Sequence, residues 1–552
     1  MNAGENYPEI NRLWGKNWFP FGRKKVLFIS PKKENVCSSL TKKGENKQLD
    51  GVPAKRKPIL SPQSIDLRIM FSRIHHAQSK VFVRCIRSMP PFGYKPPPYK
   101  GKSFEEIMKV RGEHVFPMVT YYKNPVMITD GKMQYLWDEK GKRYLDMIGG
   151  IVTVSVGHCH PHVVEAATKQ MEKLQHTTSI YVYPEIEEYA DMLQSRLPKG
   201  LDCCFFANSG SEANDLAMLV ARMHTGNHTI LGLKNGYHGV SPTAMGLTAL
   251  HTWKFPLPQG GNIQHVMAPD PYRGLFGGHR MDTDGKVSEF IPGPCLPKET
   301  DDLKAADLYA ADVRATIDGS TSGGVAAFFS EYIQGVGGTM QQTQGYLERA
   351  YKMVRAAGGL CVSDEVQCGF GRLGHTFWGF ETQGVVPDMV TMAKGMGNGF
   401  PMAGVVTSKE IAQVMRKRLH FNTFGGNPVA CAVGKAVLEV IDEEKLQERA
   451  KTVGKYFGQR LMDLQKKHEV IGDVRGMGFM WGVELVKDRK TKEPANDLCA
   501  DVFELAKDHG VLLGKGGLKG NVFRIKPPMC ITKDDADFVI DVMDHCLKEF
   551  NH

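Results

Sequence analysis

A lysine and an aspartate, each at the end of an apolar run, are the side chains best placed for chemistry in this sequence. Asp364 follows residues 359–363, and Lys394 follows residues 389–393. An acid and an amine that close two buried strands are costly to bury unless each meets a partner. A pyridine cofactor that carries an aldehyde provides both partners, because its ring nitrogen pairs with a carboxylate and its aldehyde condenses with an amine.

A third segment is suited to bind a phosphate. Ser209 and Glu212 have the S-x-x-E spacing of a capping box, which predicts that a helix begins here and presents free backbone N–H groups to an anion. Gly210 lets a ligand approach the backbone, and Ser211 adds a hydroxyl. Taken alone, the segment also fits an ordinary helix cap. Together with the acid and the amine, it predicts pyridoxal 5′-phosphate as the cofactor.

Two further side chains are placed to contact the cofactor ring. Tyr237, in the sequence Gly-Tyr-His-Gly, follows the predicted strand at 229–233, and ligands bind at this edge of open α/β sheets. An aromatic side chain there can stack on a planar ring. Gln367, three positions after Asp364, can hydrogen-bond the 3′ oxygen of the ring.

Alternating strands and helices must position these side chains. Between about residues 162 and 450, short apolar runs alternate with helical periodicity, which favours an α/β layer with a largely parallel sheet. The strand candidates in this region are 229–233, 325–329, 360–363, 389–392 and 404–407. A strand pair is predicted at 135–138 and 143–146, a surface insertion at 275–302, and a smaller α+β domain after about residue 445.

The distribution of charge excludes some classes of function. The chain of 552 residues has a formal net charge of +10, but residues 1–100 hold 20 Lys and Arg against 6 Asp and Glu. The remainder holds 50 against 54, so a basic nucleic-acid-binding surface on the folded body is not expected. No apolar stretch is long enough to span a bilayer, so no membrane partner is expected either. The scattered cysteines are typical of reduced thiols.

The basic leader resembles a mitochondrial presequence at about residues 70–88. This stretch begins at Met70 and combines four Lys and Arg, serine and large apolar residues with no acid. We therefore expect a disordered leader at 1–88, cleavage near 87–89 and a location in the mitochondrial matrix. A basic tail without an address is the alternative. A start at Met1 makes the presequence internal, and a start at Met70 makes it terminal.

Two other patterns fail their context tests. His158-Cys159-His160 is followed by Pro161 and has no distant ligand pair, so no metal site is expected. Residues 369–374 fit G-x-G-x-x-G, but the residues that follow do not begin a helix, so a dinucleotide fingerprint is not supported.

The segments together resemble the class III (omega-type) pyridoxal-phosphate-dependent aminotransferases over roughly residues 105–550. The resemblance rests on residues 157–161, 208–214, 236–239, 364–372, 394–395 and 424–428. It implies the fold type I of these enzymes, an α/β fold with a large domain around a mostly parallel seven-stranded sheet and a smaller α+β domain. The implied division is an N-terminal segment at 89–181 that contributes to the small domain, the large cofactor-binding domain at 182–443 and the C-terminal small domain at 444–552.

The resemblance also implies a role for each site residue. Lys394 and Asp364 are the catalytic residues. The cofactor-binding residues are Ser209, Gly210, Ser211, Tyr237, His238, Glu331, Asp364, Gln367, Lys394 and Thr423. Arg524 is expected to bind the substrate α-carboxylate, beside Ile151 and Val152. The family forms homodimers or larger homo-oligomers with the active site at the interface, and Thr423 matches the residue that reaches the neighbouring subunit's cofactor.

Two departures from the family pattern bear on the substrate. Tyr332 replaces the usual proline after Glu331, and Val336 stands where ornithine and 4-aminobutyrate aminotransferases carry a glutamate that pairs with the arginine matching Arg524. A free guanidinium favours a carboxylate. We therefore expect ping-pong, Schiff-base transfer of an amino group from L-alanine, with short β-amino acids as further donors, to glyoxylate or pyruvate. The alternatives are an amino-alcohol phosphate phospho-lyase, an omega-aminotransferase for ornithine or 4-aminobutyrate, and a catalytically inactive binding protein.

Overall fold

The apolar runs of the sequence become the strands of the structure, and amphipathic segments become the helices around them. The computed structural model describes residues 86–118, 120–258, 261–281, 287–289 and 303–550. The predicted leader and presequence therefore lie outside the described residues, except for 86–88. The described residues belong to one compact unit.

Within the described ranges, the strands lie in five sheets. Their bounds are β1 (Ile128–Lys132), β2 (Tyr135–Asp138), β3 (Arg143–Asp146), β4 (Cys203–Ala207), β5 (Ile230–Leu233), β6 (Ile263–Val266), β7 (His279–Met281), β8 (Val287–Glu289), β9 (Ala327–Ser330), β10 (Ile333–Gln334), β11 (Met340–Gln341), β12 (Leu360–Asp364), β13 (Met389–Met392), β14 (Ala403–Thr407), β15 (Ile471–Met477), β16 (Met480–Asp488), β17 (Glu493–Pro494), β18 (Val511–Leu512), β19 (Gly514–Gly516) and β20 (Val522–Ile525). Two of the sheets are the two-stranded pairs β7–β8 and β10–β11.

The helices begin and end close to the limits of the periodic segments. Their bounds are α1 (Phe104–His114), α2 (Pro161–Lys173), α3 (Pro184–Gln194), α4 (Gly210–Thr225), α5 (Pro242–Leu247), α6 (Lys304–Ser320), α7 (Tyr346–Ala356), α8 (Lys409–Ala412), α9 (Pro428–Glu443), α10 (Leu446–Lys467), α11 (Asn496–Asp508) and α12 (Lys533–Glu549). Short 3₁₀ turns lie at His251–Trp253, Phe380–Gln383, Lys394–Met396 and Gln413–Lys417.

The central sheet has the strand order β4-β14-β13-β12-β9-β5-β6. The pairs from β13 to β6 are parallel, whereas β14 is antiparallel to both of its neighbours. Every residue of β5, β9, β13 and β14 is buried, as expected of strands inside a mostly parallel sheet that helices cover on both faces. The predicted α/β class with a mostly parallel seven-stranded sheet is therefore confirmed.

The smaller sheets combine the two ends of the described chain. Strands β15, β16, β20 and β19 form an antiparallel sheet, with β17 beside β16. The predicted pair β2–β3 is confirmed as antiparallel, and β18 near the C-terminus extends it in parallel alongside β3. The N-terminal strands and the C-terminal region thus share one sheet.

The predicted surface insertion at 275–302 lies partly outside the described residues. Its described strands β7 and β8 pair as a hairpin. The Arg280 side chain is largely buried. Its guanidinium donates to Asp473 at 2.8 Å and to the carbonyl of Val474 at 2.8 Å. This part of the insertion therefore packs against β15.

The folded body includes the last residues of the predicted leader. Ile86 packs against the main hydrophobic core, and Arg87 forms ion pairs with Asp537 at 2.9 Å and Asp541 at 2.7 Å on α12. Cleavage at the predicted position would remove or expose these contacts. In the described ranges, none of the helices has the length and apolar character needed to cross a membrane.

Candidate active site

The predicted site residues converge at one edge of the central sheet. Five strands, β4, β5, β9, β12 and β13, run in the same direction, so their carboxyl ends meet at this edge. A cavity of about 410 Å³ lies there. Ten of the predicted site residues line it: Ile151, Gly210, Ser211, Tyr237, His238, Glu331, Asp364, Gln367, Lys394 and Arg524.

The first turn of α4 forms one end of the cavity. Ser209 is the N-cap of this helix, and its hydroxyl accepts a hydrogen bond from the backbone N–H of Glu212 at 3.3 Å. The other half of the predicted capping box is different, because the Glu212 carboxylate accepts from the backbone N–H of Asn208 at 2.9 Å. Ser209 is thus engaged as a cap and does not line the cavity, whereas Gly210 and Ser211 do.

Gly239 lets the next loop close over this helix. A Cβ atom at Gly239 would lie 2.4 Å from the hydroxyl oxygen of Ser211, and the φ of Gly239 is +127°. Only glycine fits both the space and the backbone conformation. The Ser211 hydroxyl also accepts from the backbone N–H of Val240 at 3.3 Å, which holds the loop against the helix.

Asp364 is held in place by three donors. It closes β12 and is 3% exposed. The Asn214 amide donates to its Oδ2 at 2.9 Å, the His238 Nδ1 lies 2.8 Å from the same oxygen, and the backbone N–H of Val366 donates to Oδ1 at 3.1 Å. Burial opposes a charge on His238, but the hydrogen bond to Asp364 outweighs it and raises the pKa of the imidazole. The carboxylate therefore has a fixed orientation at the cavity wall.

Glu331 and Tyr237 form the wall next to Asp364. Glu331 follows β9, is 2% exposed, and accepts from the backbone N–H of Tyr237 at 2.9 Å and of Gly335 at 3.1 Å. Burial raises the pKa of its carboxyl group. The Tyr237 ring packs edge-on against Trp253, with 5.2 Å between the ring centroids. Tyr237 is half-buried, so one side of its ring remains available to the cavity.

Lys394 follows β13 and has the left-handed backbone conformation, with φ of +51°. It begins a 3₁₀ turn directly after the strand and turns into the cavity. Burial lowers the pKa of its amine to about 8, and the Arg524 guanidinium acts in the same direction, against Asp364 and Glu331. An amine with a pKa near neutrality is a competent nucleophile and proton carrier.

Arg524 approaches the cavity from β20, a strand of the antiparallel sheet formed by β15, β16, β20 and β19. It is 4% exposed, and its Nε and Nη2 atoms have no hydrogen-bond partner in the part of the chain that the structure describes. Burial lowers the pKa of the guanidinium, and the hydroxyl of Tyr121 is one of the groups that oppose this effect. Val336, which also lines the cavity, offers it no charge. Unpaired, buried donors of this kind are costly unless a ligand satisfies them.

Ile151 and Val152 lie in a left-handed turn. Gly149, Gly150, Ile151 and Val152 have φ values of +56°, +59°, +63° and +67°. This conformation is strained for β-branched residues, and such strain concentrates at functional sites. Asp146 supports the turn, since its Oδ1 accepts from the backbone N–H groups of residues 148 and 149. Ile151 lines the cavity and is half exposed, whereas Val152 is 2% exposed and does not line it.

Thr423 lies away from the cavity of its own chain. It is exposed, in the segment after the 3₁₀ turn at Gln413–Lys417, next to the exposed side chains of Phe421 and Phe424. Tyr332, the departure from the family pattern, is fully buried and its hydroxyl accepts from Gln341 at 3.1 Å. The substitution is thus accommodated in the core behind Glu331.

Several site residues were not identified from the sequence. Asn214 lies one helical turn after Ser211, and that spacing alone indicates that the two share a face of α4. Lys526, which hydrogen-bonds Gln367, and Tyr121, which contacts Arg524, have no comparable signal. The histidines of the segment 158–160, where no metal site was expected, pair with carboxylates. His158 lies 2.8 Å from Asp146, and His160 lies 2.8 Å from Glu444. Among the described residues, no group of His, Cys, Asp and Glu is arranged to hold a metal ion.

The residues fit a phosphorylated pyridine aldehyde. The helix N-terminus with Gly210 and Ser211 suits the phosphate, and the fixed Asp364 carboxylate suits a ring N–H. The Gln367 side chain packs directly on Gly335, where a Cβ atom would lie 2.1 Å from Gln367 Oε1. This packing holds the amide at the cavity wall. The unpaired atoms of Arg524 leave a separate position for an anionic substrate group.

The chain was compared with known families, proteins and structures. The family model "Aminotransferase class-III" matches residues 118–547. Alanine–glyoxylate aminotransferase 2 homolog 2, mitochondrial, of Arabidopsis thaliana is 49% identical over 462 residues, which cover 84% of this chain and 91% of that protein. The mitochondrial alanine–glyoxylate aminotransferase 2 of Homo sapiens is 46% identical over 464 residues, or 84% of this chain and 90% of that protein.

A solved structure agrees with these relatives. A phospholyase from Arthrobacter in complex with phosphoethanolamine has a TM-score of 0.72 at 32% identity, and the match covers 81% of this chain and 100% of that one. The family predicted from the sequence segments is confirmed. The chain therefore belongs to the class III aminotransferase family, and pyridoxal 5′-phosphate is its cofactor.

Proposed function

We propose that this aminotransferase moves the amino group of L-alanine, and of short β-amino acids, to glyoxylate or pyruvate. The observation that carries the proposal is the buried Arg524 guanidinium, whose Nε and Nη2 atoms have no partner among the described residues. Val336 lines the same cavity and brings no competing carboxylate. A bidentate contact with a substrate carboxylate satisfies both atoms. The names of the relatives from Arabidopsis thaliana and Homo sapiens support this choice of substrates.

Each residue of the cavity has a proposed task. Bound pyridoxal 5′-phosphate supplies an aldehyde carbon that exchanges amino groups and a protonated ring that withdraws electrons. Gly210 and Ser211 bind the phosphate, and Tyr237 packs against the ring. Asp364 keeps a proton on the ring nitrogen, with His238 as its support. Ser209 contributes indirectly, as the N-cap of the helix that presents Gly210 and Ser211. The remaining proposed cofactor contacts are Glu331, Gln367 and Thr423.

Lys394 has two proposed tasks. Its Nζ attaches the cofactor to the chain in the resting enzyme, and it carries a proton to and from the substrate Cα during transfer. The lowered pKa of this amine, about 8, leaves a usable neutral fraction near neutral pH. Arg524 orients the substrate through its carboxylate, beside Ile151.

The remaining expectations about organisation are also proposals. We place a cleavable leader at 1–88, the large domain at 182–443, and a small domain made of 89–181 and 444–552. The shared sheet of β3 and β18 supports the last assignment. Exposed apolar side chains at Ile180, Tyr181, Val182, Leu419 and Phe421 support a homodimer that shares its active sites, with Thr423 reaching the partner subunit's cofactor. Sedimentation of the purified protein tests the dimer.

A mitochondrial location is supported by the leader composition and by the names of both relatives. Fusions of residues 1–100 and 70–100 to a fluorescent protein distinguish the two starts. Matrix import of the shorter fusion alone indicates Met70 as the functional start, and import of neither contradicts the location.

A donor-by-acceptor panel on purified protein tests the substrate assignment. We expect alanine with glyoxylate or pyruvate to have the highest kcat/KM. Dominant turnover of ornithine or 4-aminobutyrate would overturn the proposal, and release of inorganic phosphate from phosphoethanolamine without a keto acid would indicate a phospho-lyase. A protein that binds the cofactor but transfers no amino group would be an inactive homologue.

Val336 provides a matched pair of variants. Val336→Glu places an acid beside Arg524, so we expect a loss of about 10- to 100-fold in kcat/KM for alanine. Val336→Leu changes the size without adding charge and should retain most of this activity. Equal losses in both variants would indicate that space, and not the free guanidinium, selects the substrate.

A further inference from the structure

Lys526 is a fully buried cation behind the cavity that no step above uses. It follows β20 and is 0% exposed. Its backbone N–H donates to the carbonyl of Met147 at 2.7 Å, which fixes the main chain at this point. Lysine is rarely buried to this extent without a specific partner.

The partner of Lys526 is the amide of Gln367. Lys526 Nζ donates to Gln367 Oε1 at 3.0 Å. A glutamine amide has one oxygen acceptor and one NH₂ donor group, so a donor at the oxygen decides which way the amide faces. With Oε1 held by Lys526, the Nε2 donors are left for the cavity that Gln367 lines.

The backbone confines the same amide from a second side. A Cβ atom at Gly335 would lie 2.1 Å from Gln367 Oε1 and 2.8 Å from Nε2, so the amide packs directly on this glycine. The backbone N–H of Gly335 is in turn bound by Glu331 at 3.1 Å. The position of Gln367 is therefore set by packing, and its orientation is set by Lys526.

We propose that Lys526 is a positioning residue, which holds Gln367 so that the Nε2 N–H groups face the cavity and donate to an oxygen of the bound cofactor ring. This inference rests on the proposed function, because it assigns Gln367 the ring contact given there. Lys526 itself touches Gln367 and not the substrate.

The charged groups around Lys526 are compatible with this task. Burial lowers the pKa of Lys526 well below its usual value, the nearby cations Arg524 and Lys394 add to the effect, and Cys368 and Glu331 oppose it. A neutral amine keeps two N–H groups and still donates to Oε1. The orientation of Gln367 is thus maintained in either protonation state.

The test measures cofactor binding and the pH titration of the visible band of the bound cofactor. Lys526→Met is close in size but cannot donate, so the amide is free to rotate. We expect the Kd for pyridoxal 5′-phosphate to rise about tenfold. We also expect the pH midpoint of the visible band to rise, because loss of the hydrogen-bond donor at the ring oxygen favours protonation of the bound ring system.

Two matched variants separate positioning from packing. Lys526→Gln retains a donor at similar reach and should restore both values to near those of the wild type. Gln367→Leu removes the amide, and the double variant Lys526→Met/Gln367→Leu should bind the cofactor no more weakly than Gln367→Leu alone. Losses that multiply in the double variant would overturn the proposal, as would an unchanged Kd and midpoint in Lys526→Met.

If Lys526→Met does not fold, Gln367→Glu is a substitute test that leaves Lys526 in place. It retains an acceptor for Lys526 but removes the N–H donors, so we expect the same loss of cofactor affinity; wild-type affinity in this variant contradicts the proposal. Failure of the proposed function is distinguishable, since wild-type protein would then bind the cofactor without transferring amino groups. Failure of this inference leaves wild-type transamination intact.

Discussion

Two clusters of buried charge in this molecule are built from the same residue types but differ in their pairing. The paired cluster lies between the segment 270–280 and the sheet of β15 and β16, and it comprises Arg273, Arg280, Asp473, Arg475 and Glu484. The cavity cluster comprises Glu331, Asp364, Lys394, Arg524 and Lys526. Buried charges stabilise a fold only when each finds a partner, and those without one are available to a ligand.

Every guanidinium of the paired cluster meets a carboxylate. Arg475 contacts Asp473 at 2.8 Å and Glu484 at 2.7 Å, and Arg273 pairs with Glu484. Burial opposes ionisation of Asp473, but Arg280 and Arg475 outweigh it and lower the pKa of this carboxyl group. The same two acids raise the pKa of Arg475 despite its burial.

In the cavity cluster, the charged forms are not stabilised by partners as they are in the paired cluster. Burial raises the pKa of Glu331 and lowers the pKa values of Lys394, Arg524 and Lys526, which moves these four groups toward their neutral forms. Two donors of Arg524 lack a partner within the described residues. Both clusters are buried. What distinguishes the structural cluster from the reactive one is that each of its charged side chains has an oppositely charged partner.

Removal of the amine at the centre of the cavity cluster should have the largest effect. Lys394→Ala is expected to reduce transamination by at least about a thousandfold, because both covalent attachment and proton transfer are lost. Steady-state rates measure the loss, and borohydride reduction followed by peptide mass spectrometry should find no pyridoxyl group at position 394. Lys435→Ala, at a surface ion pair, is the control and should be fully active.

A break in the paired cluster should instead cost stability. Arg475→Met leaves Asp473 and Glu484 buried with fewer partners, and we expect a loss of about 3–5 kcal/mol in the free energy of unfolding. Denaturant unfolding measures it. The KM for alanine in the folded fraction should change little; an unchanged denaturation midpoint would contradict the structural role of this cluster.

The equivalent change in the cavity cluster should have the opposite signature. Arg524→Met is expected to cost about 2–4 kcal/mol in kcat/KM for substrates with a carboxylate. Its denaturation midpoint should remain equal to that of the wild type or rise, because an unpaired buried charge is removed. A fall in stability as large as that of Arg475→Met would remove the distinction between the two clusters.

The pH dependence of cofactor capture sharpens the contrast at Lys394. Only the neutral amine attacks an aldehyde, and its pKa is lowered from 10.5 to about 8. The rate of capture by cofactor-free protein should therefore rise about tenfold per pH unit and level off above about pH 8. In Arg524→Met, the loss of a neighbouring cation should shift this plateau to higher pH. A plateau near the value of free lysine would contradict the assignment.

An exposed ion pair should have the smallest effect. Arg87 pairs with Asp537 and Asp541, but its side chain is 38% exposed. Arg87→Met is expected to cost less than about 1 kcal/mol, as measured by denaturant unfolding. A loss comparable with that of Arg475→Met would show that solvent exposure does not weaken such a pair here.

Much of the central seven-stranded sheet could be predicted from the apolar runs of the sequence. The predicted strand at 389–392 is confirmed as β13, and those at 229–233, 325–329, 360–363 and 404–407 correspond to β5, β9, β12 and β14 with ends shifted by one or two residues. Strands β4 and β6 were not predicted. Cys203–Ala207 and Ile263–Val266 are short and are strands mainly because they pair with β14 and β5.

The parallel topology predicted where Asp364 and Lys394 lie. It did not predict the side chains that hold the site residues in place. Asp364 and Lys394 end neighbouring strands, so their proximity was implied by sequence spacing. The contacts of Asn214 with Asp364, and of Lys526 with Gln367, join residues 150 and 159 positions apart. Such contacts depend on how the helices and the C-terminal antiparallel sheet pack on the central sheet, which the periodicity of the sequence does not specify.

The convergence of five strand ends at one edge has a consequence for biogenesis. The residues that line the cavity come from segments between residues 121 and 394 and from β20, so a chain that ends before β20 lacks part of the site. Cofactor colour should accordingly appear late in refolding, after β20 has docked. Cofactor colour should therefore distinguish completely folded molecules from partly folded ones.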